Sequence, residues 1–490
     1  MPRLTIHRGS MSFAVDFLSP ERLSVLLARS GMPLAQPCGG RGVCGKCAVL
    51  LTGDASAPNH AEQRCGARLA CQAVIHGDCD VILPEKRPMA QIEAGSGEAP
   101  VPVQPMPGRY GAAIDIGTTT LALQLHDLHT GRCLAHAAML NPQTSAAADV
   151  IGRVEAAMGG QLEALSASIR AALRTLLGSA CARGGVDAAE VGSLTVTGNT
   201  TMLYLLTGRS PERLSCAPFE ADCLFGEECV LEDRRVYLPP CLHAFVGADT
   251  ACALLASGML EREETALLCD AGTNGEIALW HRGQLYVASA AAGPAFEGAG
   301  ISCGCGSVPG AIDRVWTEAG EVRIHTIGEE APVGLCGSGL LDAAATLAEL
   351  EIIDETGAME EDCPLAPGVT LTRRDVRALQ LAKAALAAGM DSLLHAAGCR
   401  QEEIAALYLA GGFGSHLNAD SAARIGMIPA ALADKVRVIG NAALDGAAML
   451  LADTSLRERT AAFCRQAQHV RLDGNAYFSQ RFVDAMMFGE

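Results

Sequence analysis

Hydrophobic and polar positions divide the chain into stretches of different rhythm. Near the N-terminus, LTIH and FAVDF alternate, and then ERLSVLLARS places its apolar residues three and four apart before Gly31 and Pro33. Alternation predicts half-buried strands, and the wider spacing predicts an amphipathic helix stopped by its glycine and proline. CAVLLTG and DVILP resume the strand pattern, so residues 1–86 read as a small α+β unit. Residues 87–108, RPMAQIEAGSGEAPVPVQPMPG, have no period and are rich in Pro, Gly, Ala and Glu, which predicts a flexible linker.

Beyond the linker one plan occurs twice. YGAAIDIGTTTLALQLHDLHTGRCLAHAAML (110–140) predicts strand, Gly-Thr turn, strand, turn, strand, and TALLCDAGTNGEIALWHRGQLYVASA (265–290) repeats it. Asp115 and Asp270 hold the same place, each followed by x-Gly-Thr. A motif repeated at this distance predicts two related lobes, 109–264 and 265–490. Helical stretches such as LEALSASIRAALRTLLGSA lie between the copies. EIAALYLAGGFG and KVRVIGNAALDGAAMLLA then read as strands that end in glycine and lead into helices.

Composition narrows the class. The chain has 490 residues, 49% hydrophobic and 19% charged, as in a globular protein of several domains. The net charge of −18 argues against a nucleic-acid partner. It is uneven: residues 1–87 carry +3 and the remainder −21, so the first unit is suited to an acidic surface, its own or a partner's. No apolar run reaches the roughly 18 residues of a membrane helix, and the N-terminus lacks the apolar core of a secretory signal. A cytoplasmic location is expected. Twenty cysteines without an export signal suit a reducing compartment, most of them as small core residues.

Three cysteines stand apart. CGGRGVCGKC gives Cys38-x5-Cys44-x2-Cys47 among four glycines, whose amides can turn toward sulfur. Cys71, in RLACQ, and Cys65 compete as the fourth ligand. A zinc site usually takes two separated Cys-x-x-Cys pairs, and only one is present. The stretch resembles a [2Fe–2S] ferredoxin domain of β-grasp fold, with a first gap like that of adrenodoxin-type ferredoxins. That resemblance favours Cys71.

The chain has no Walker-type phosphate loop. The two hairpins offer another solution: Gly117, Thr118 and Thr119 in one turn, and Gly272, Thr273 and Asn274 in the other, present amides and hydroxyls to phosphate oxygens. Asp115 and Asp270 would then face an anion, which implies Mg²⁺ between them. Gly411, Gly412 and Gly414 of LAGGFG would admit an adenosine. Together these segments resemble the superfamily of sugar kinases, actin and heat-shock chaperones, and imply two actin-like, ribonuclease H-like α/β lobes closing on ATP. The sugar-kinase resemblance implies for Asp249 a catalytic carboxylate that orients or deprotonates the attacking water, and a helix N-cap or first-turn acid suits it equally.

An electron carrier joined to an ATPase suggests uphill electron transfer, at roughly 2.3 kcal/mol per 100 mV for one electron. NPQTSAAADVIGRV (141–154), GNTTMLYLLTG (198–208), AAGPAFEGAGISCG (291–304) and GLCGSGLLD (334–342) resemble segments of the reductive activators of corrinoid proteins. That resemblance spans nearly the whole chain. It implies ATP-dependent one-electron reduction of Co(II) to Co(I) in the corrinoid protein of a methyltransferase system, with an external low-potential electron donor. Longer members carry a further domain where this chain has only its linker. The rival readings are an ATP-dependent activator of a radical dehydratase, a small-molecule kinase carrying a ferredoxin unit, and a nucleotide-gated electron carrier.

Several lesser features carry expectations too. GPAFEGAGISCGCG is a candidate docking loop. Cys303 and Cys305, if in a strand, point to opposite faces. Cys216, Cys223, Cys229 and Cys241 match no cluster spacing. His243, His281 and His416 read as surface or capping residues.

Overall fold

The computed structural model describes residues 1–9, 11–32, 34, 36, 40, 42, 45–84, 101–147, 149–272, 274–411 and 417–489. In the first unit the strand Arg3–Arg8 pairs antiparallel with Met11–Asp16 and parallel with Val74–Ile82. Ala48–Ala55 lies on the other side of Val74–Ile82, antiparallel to it. The helix Leu23–Arg29 puts Leu23, Leu26 and Leu27 into one core with Leu4, Ile6 and Ile75. That is the apolar spacing read from the sequence, and the helix across a mixed sheet is a β-grasp.

A second, shorter helix fixes the approach to Cys71. Asn59 caps His60–Cys65, accepting from Ala61 and Glu62, while Glu62 reaches back to the Asn59 amide at 2.9 Å. Such a capping box contributes about 1 kcal/mol. Glu62 is 2% exposed and also accepts from Arg68 Nε at 2.9 Å and Leu69 N at 3.0 Å. Burial alone would raise its pKa, but these donors outweigh it and hold the carboxyl below the usual range.

The two lobes share one sheet plan. In the first, Tyr110–Ile116, Thr120–Asp127 and Cys133–Leu140 run antiparallel, and Val191–Gly198 then Arg234–Leu238 continue parallel from the first of them. In the second, Thr265–Ala271, Gly275–His281 and Gln284–Ala290 are antiparallel, with Ile404–Ala410 and Val436–Val438 parallel beyond. Both sheets therefore have the third, second, first, fourth and fifth strands side by side. Leu162–Gly184 backs the first sheet and Arg373–Ala397 the second, each burying an apolar stripe.

Two helices bind the lobes together. Ala248–Ser257 sets Ala251 and Leu254 against Leu268 and Ala278 of the second sheet. Ala442–Ala452 sets Leu444, Ala447 and Leu451 against Ala113 and Ala122 of the first. Each lobe's sheet is thus covered partly by a helix from the other half of the chain. The helices cross where Gly446 meets the Cys252 carbonyl, leaving no room for a side chain.

The described end of the linker, 101–108, is less free than its composition predicts. Val103 N donates to Ala452 O at 3.2 Å and Met106 N to Leu451 O at 2.9 Å. Met106 is buried between these elements, so an apolar side chain pins the end of a stretch that reads as tether. Among the described residues no helix is long and apolar enough to cross a membrane.

Candidate active site

Cys47 directly precedes the strand Ala48–Ala55, whose Ala48 pairs with Leu69. Ala70 N donates to Cys47 O at 2.9 Å, which draws the Cys71 turn alongside. Both cysteines are buried, at 1% and 0% exposure, in the core of the domain. Gln72 Nε2 reaches from Cys71 to Gly40 O at 2.5 Å, tying the glycine loop over that thiol. Gly40, Gly42 and Gly45 all have positive φ, as a loop that turns its amides inward requires. Cys65 ends its helix exposed, with Sγ 3.2 Å from where a Gly45 side chain would begin. Cys38 and Cys44 lie outside the described residues. The thiols and glycines that are described fit an iron–sulfur cluster.

The second site lies between the lobes. Asp115 stands near the end of Tyr110–Ile116, Asp270 near the end of Thr265–Ala271, and Asp249 in the first turn of Ala248–Ser257. Asp249 Oδ1 accepts from Thr250 N at 2.7 Å, so it is a first-turn acid that also faces the other two carboxylates. Burial, then Asp249 and Asp270, push Asp115 up to about 8. Burial, then Asp249 and Glu297, push Asp270 up to about 7. Asp249 rises to about 6 through burial, against the pull of Thr250. Glu276, opposite Asp270 in the hairpin register, is raised by burial, then by Asp249 and Asp270.

No lysine or arginine forms an ion pair with these four acids among the described residues. Asn441, the N-cap of Ala442–Ala452, donates to Asp115 Oδ2 at 3.3 Å. Buried carboxylates so arranged either take up protons or bind a cation, and hard oxygen donors fit a divalent ion.

The two Gly-Thr turns are braced from behind. Asn141 N donates to Thr119 O at 2.8 Å and Asn141 Nδ2 to Gly117 O at 2.9 Å. Asn199 Nδ2 donates to Thr118 Oγ1 at 3.2 Å. Arg153, wholly buried, donates to the Thr118 carbonyl, and burial lowers its pKa to about 10. In the second turn Gly272 N donates to Asn274 O at 3.1 Å. Thr119 Oγ1 crosses the cleft to Glu297 Oε2 at 2.5 Å. Gly411 has φ +93°, and a Cβ there would stand 2.6 Å from Asp270 Oδ1. Thr273, Gly412 and Gly414 lie outside the described residues.

Comparison with known proteins accounts for all three parts. Residues 12–76 match a 2Fe-2S iron-sulfur cluster binding domain, 110–262 the RACo middle region, and 264–490 the C-terminal domain of RACo, the ASKHA domain. The corrinoid activation enzyme RamQ of Eubacterium limosum is 33% identical over 78% of this chain and 70% of its own. This chain belongs to the family of reductive activators of corrinoid proteins. A Methanosarcina barkeri relative, the [Co(II) methylated amine-specific corrinoid protein] reductase, is 28% identical over 71% of this chain and 70% of its own. A solved reductive activator for corrinoid, iron-sulfur protein superposes with a TM-score of 0.73 at 25% identity, over 100% of this chain and 98% of that one. The fold is therefore a ferredoxin-type domain followed by an actin-like ATPase, with a [2Fe–2S] cluster and ATP as its ligands.

In this family member several expectations change. Cys303 and Cys305 sit in a loop rather than a strand, held by Leu335 N to Cys303 O and Cys305 N to Leu335 O, both at 2.8 Å. His281 is buried, not at the surface, and bonds Thr265 Oγ1 at 2.9 Å. Its ring lies within 4.8 Å of Cys399 and Glu403, but Arg282 and Arg400 already engage that glutamate. His243 stacks on His469 and is only partly exposed; His416 lies outside the described residues. Asn441, Glu276, Arg153 and Glu297 escape a reading of the sequence. Asn441 carries a signal, an Asn between a glycine and a helical run. Glu297 carries none, because only the closed fold brings it to Thr119.

Proposed function

We propose that this protein reduces the Co(II) of a protein-bound corrinoid to Co(I), with ATP hydrolysis driving the transfer of one electron supplied by an external low-potential donor. The acceptor is a corrinoid protein, as the names of both relatives suggest, and in this reading it serves a methyltransferase system. The observation that carries the reading is the union, in one chain, of the buried Cys47 and Cys71 thiols and a cleft of carboxylates without a lysine or arginine partner among the described residues.

In this reading Cys38, Cys44, Cys47 and Cys71 hold the cluster, which when bound supplies single electrons at low potential. Burial of Cys71 in the core beside Gly40 supports it over the exposed Cys65. Asp115 and Asp270 hold Mg²⁺, and the charge they would otherwise lack a partner for supports that assignment. Gly117, Thr118, Thr119, Gly272, Thr273 and Asn274 line the phosphates, and Gly411, Gly412 and Gly414 the adenosine. Asp249, raised toward neutral pH, orients the attacking water and accepts its proton. The chain divides as 1–86, 87–108, 109–264 and 265–490, and it works in the cytoplasm.

The test is anaerobic reduction of a Co(II) corrinoid protein, followed by the Co(I) absorption band. The band forms with ATP, Mg²⁺ and reductant together. Equal reduction without nucleotide sinks the coupling. A dehydratase activator and a kinase have no specific observation in their favour.

A further inference from the structure

Two contacts seat the iron–sulfur domain, one on each lobe. Helix Leu23–Arg29 packs against Pro142–Ser145 of the first lobe. Lys46 Nζ donates to the Gly304 carbonyl of the second at 2.5 Å. Lys46 lies within the cysteine loop, one residue before Cys47.

Both landing sites lead straight to the phosphate-facing turns. Pro142–Ser145 follows Asn141, which holds the Gly117 and Thr119 carbonyls. Gly304 belongs to a tight loop that starts at Glu297. Gly298 has φ +72°, and a Cβ there would lie 2.5 Å from the Cys305 carbonyl, so the two ends of the loop touch backbone to backbone. Glu297 accepts from Thr119 through Oε2, while Oε1 lies 3.6 Å from where a Gly272 side chain would begin. One carboxylate thus bonds the first turn and lies beside the second, and its chain runs directly into the platform under Lys46.

We propose that Glu297 is a positioning residue that couples nucleotide binding in the cleft to the seating of the iron–sulfur domain. A polyphosphate between the two turns competes for the Thr119 hydroxyl and repels the Glu297 carboxylate. Displacement of Glu297 moves Gly298, the contacting Gly304 moves with it, and Lys46 loses its acceptor. The cluster loop is released from the second lobe when nucleotide binds, and reseats when the cleft empties. This rests on ATP binding between the lobes, and not on which protein accepts the electron.

Hydrogen exchange followed by mass spectrometry on the cluster-loaded full chain, with and without Mg·AMP-PNP, tests it. The analogue should protect 117–120 and remove protection from 45–50 and 298–305. In Glu297→Gln, which keeps an acceptor for Thr119 but not the charge, 117–120 should still respond and the other two segments should not. Lys46→Met, away from the nucleotide, should leave 45–50 exchanging fast in both states, and decides the matter if Glu297→Gln loses the analogue. Protection at 117–120 with no change at 45–50 in the wild type overturns the coupling alone. So does a wild-type response in Glu297→Gln or Lys46→Met. No protection at 117–120 overturns ATP binding in the cleft as well.

Discussion

His243 lies flat against His469, with ring centroids 3.6 Å apart and planes within 9°. His243 stands in the turn that precedes Ala248–Ser257, and His469 in the short strand beside Gln284–Ala290, so the stack joins the two lobes. Burial, then His243, then Arg471 lower His469 to about 4, and burial lowers His243 despite Glu220. A histidine whose folded pKa lies below its unfolded value binds protons better when unfolded. The pair therefore costs no stability above about pH 6.5 and destabilises the fold progressively as pH falls toward 4. His469→Gln should reduce the loss of unfolding free energy between pH 7 and 5 by about 1 kcal/mol, after screening of these partly exposed rings, and so narrow the fall in melting temperature. Parallel melting curves for the two proteins across that range would contradict it.

Asp115 and Asp270 set stability against activity. Each is held near neutral pKa by burial and by its acidic neighbours. Asp115→Asn or Asp270→Asn should raise the melting temperature of the nucleotide-free protein and lower ATP turnover by about a hundredfold or more. Asp249→Asn should cut turnover while leaving nucleotide affinity nearly unchanged. A variant with normal turnover removes that residue from the reaction.

The two candidates for the fourth cluster ligand divide by burial, Cys71 in the core and Cys65 exposed. Cys71→Ser should abolish the visible and reduced-state EPR signature of the [2Fe–2S] centre after anaerobic reconstitution, while Cys65→Ser retains it. The reverse result would move the fourth ligand to the helix end.

Gly411→Ala would press a methyl group against Asp270 and force φ +93° on a residue that resists it. The variant should lose about 1–3 kcal/mol of stability in the second lobe and most of its nucleotide affinity. Calorimetric unfolding with and without Mg·ADP measures both, and wild-type values in each would show that the Asp270 carboxylate swings aside freely.

The repeated Asp-x-Gly-Thr hairpins are plain in the sequence because strand alternation and tight turns leave local traces, and Asp115 and Asp270 meet where that repeat implies. Cys47 and Cys71 stand out in the sequence through loop spacing together with a family likeness, and the fold buries both in one core. Glu297 and Arg153 do not stand out, since each acts on a turn far away in sequence, and only packing brings them there. Composition also misled at Met106: a proline-rich stretch reads as tether, yet one apolar side chain finds a crevice at the end of Ala442–Ala452. His281 reads as a surface or capping residue because a lone histidine carries no sign of its burial beside Thr265.

Ala442–Ala452 comes late in the chain yet covers the inner face of the first sheet. During synthesis, the iron–sulfur domain has every strand it needs within its first 82 residues. The first lobe has its own strands by residue 238 but must wait some two hundred residues more for its cover. Until then Ala113 and Ala122 face an open side. A newborn chain thus gains its electron-carrying part early and its nucleotide cleft nearly last, which makes the growing first lobe the stage most in need of a chaperone.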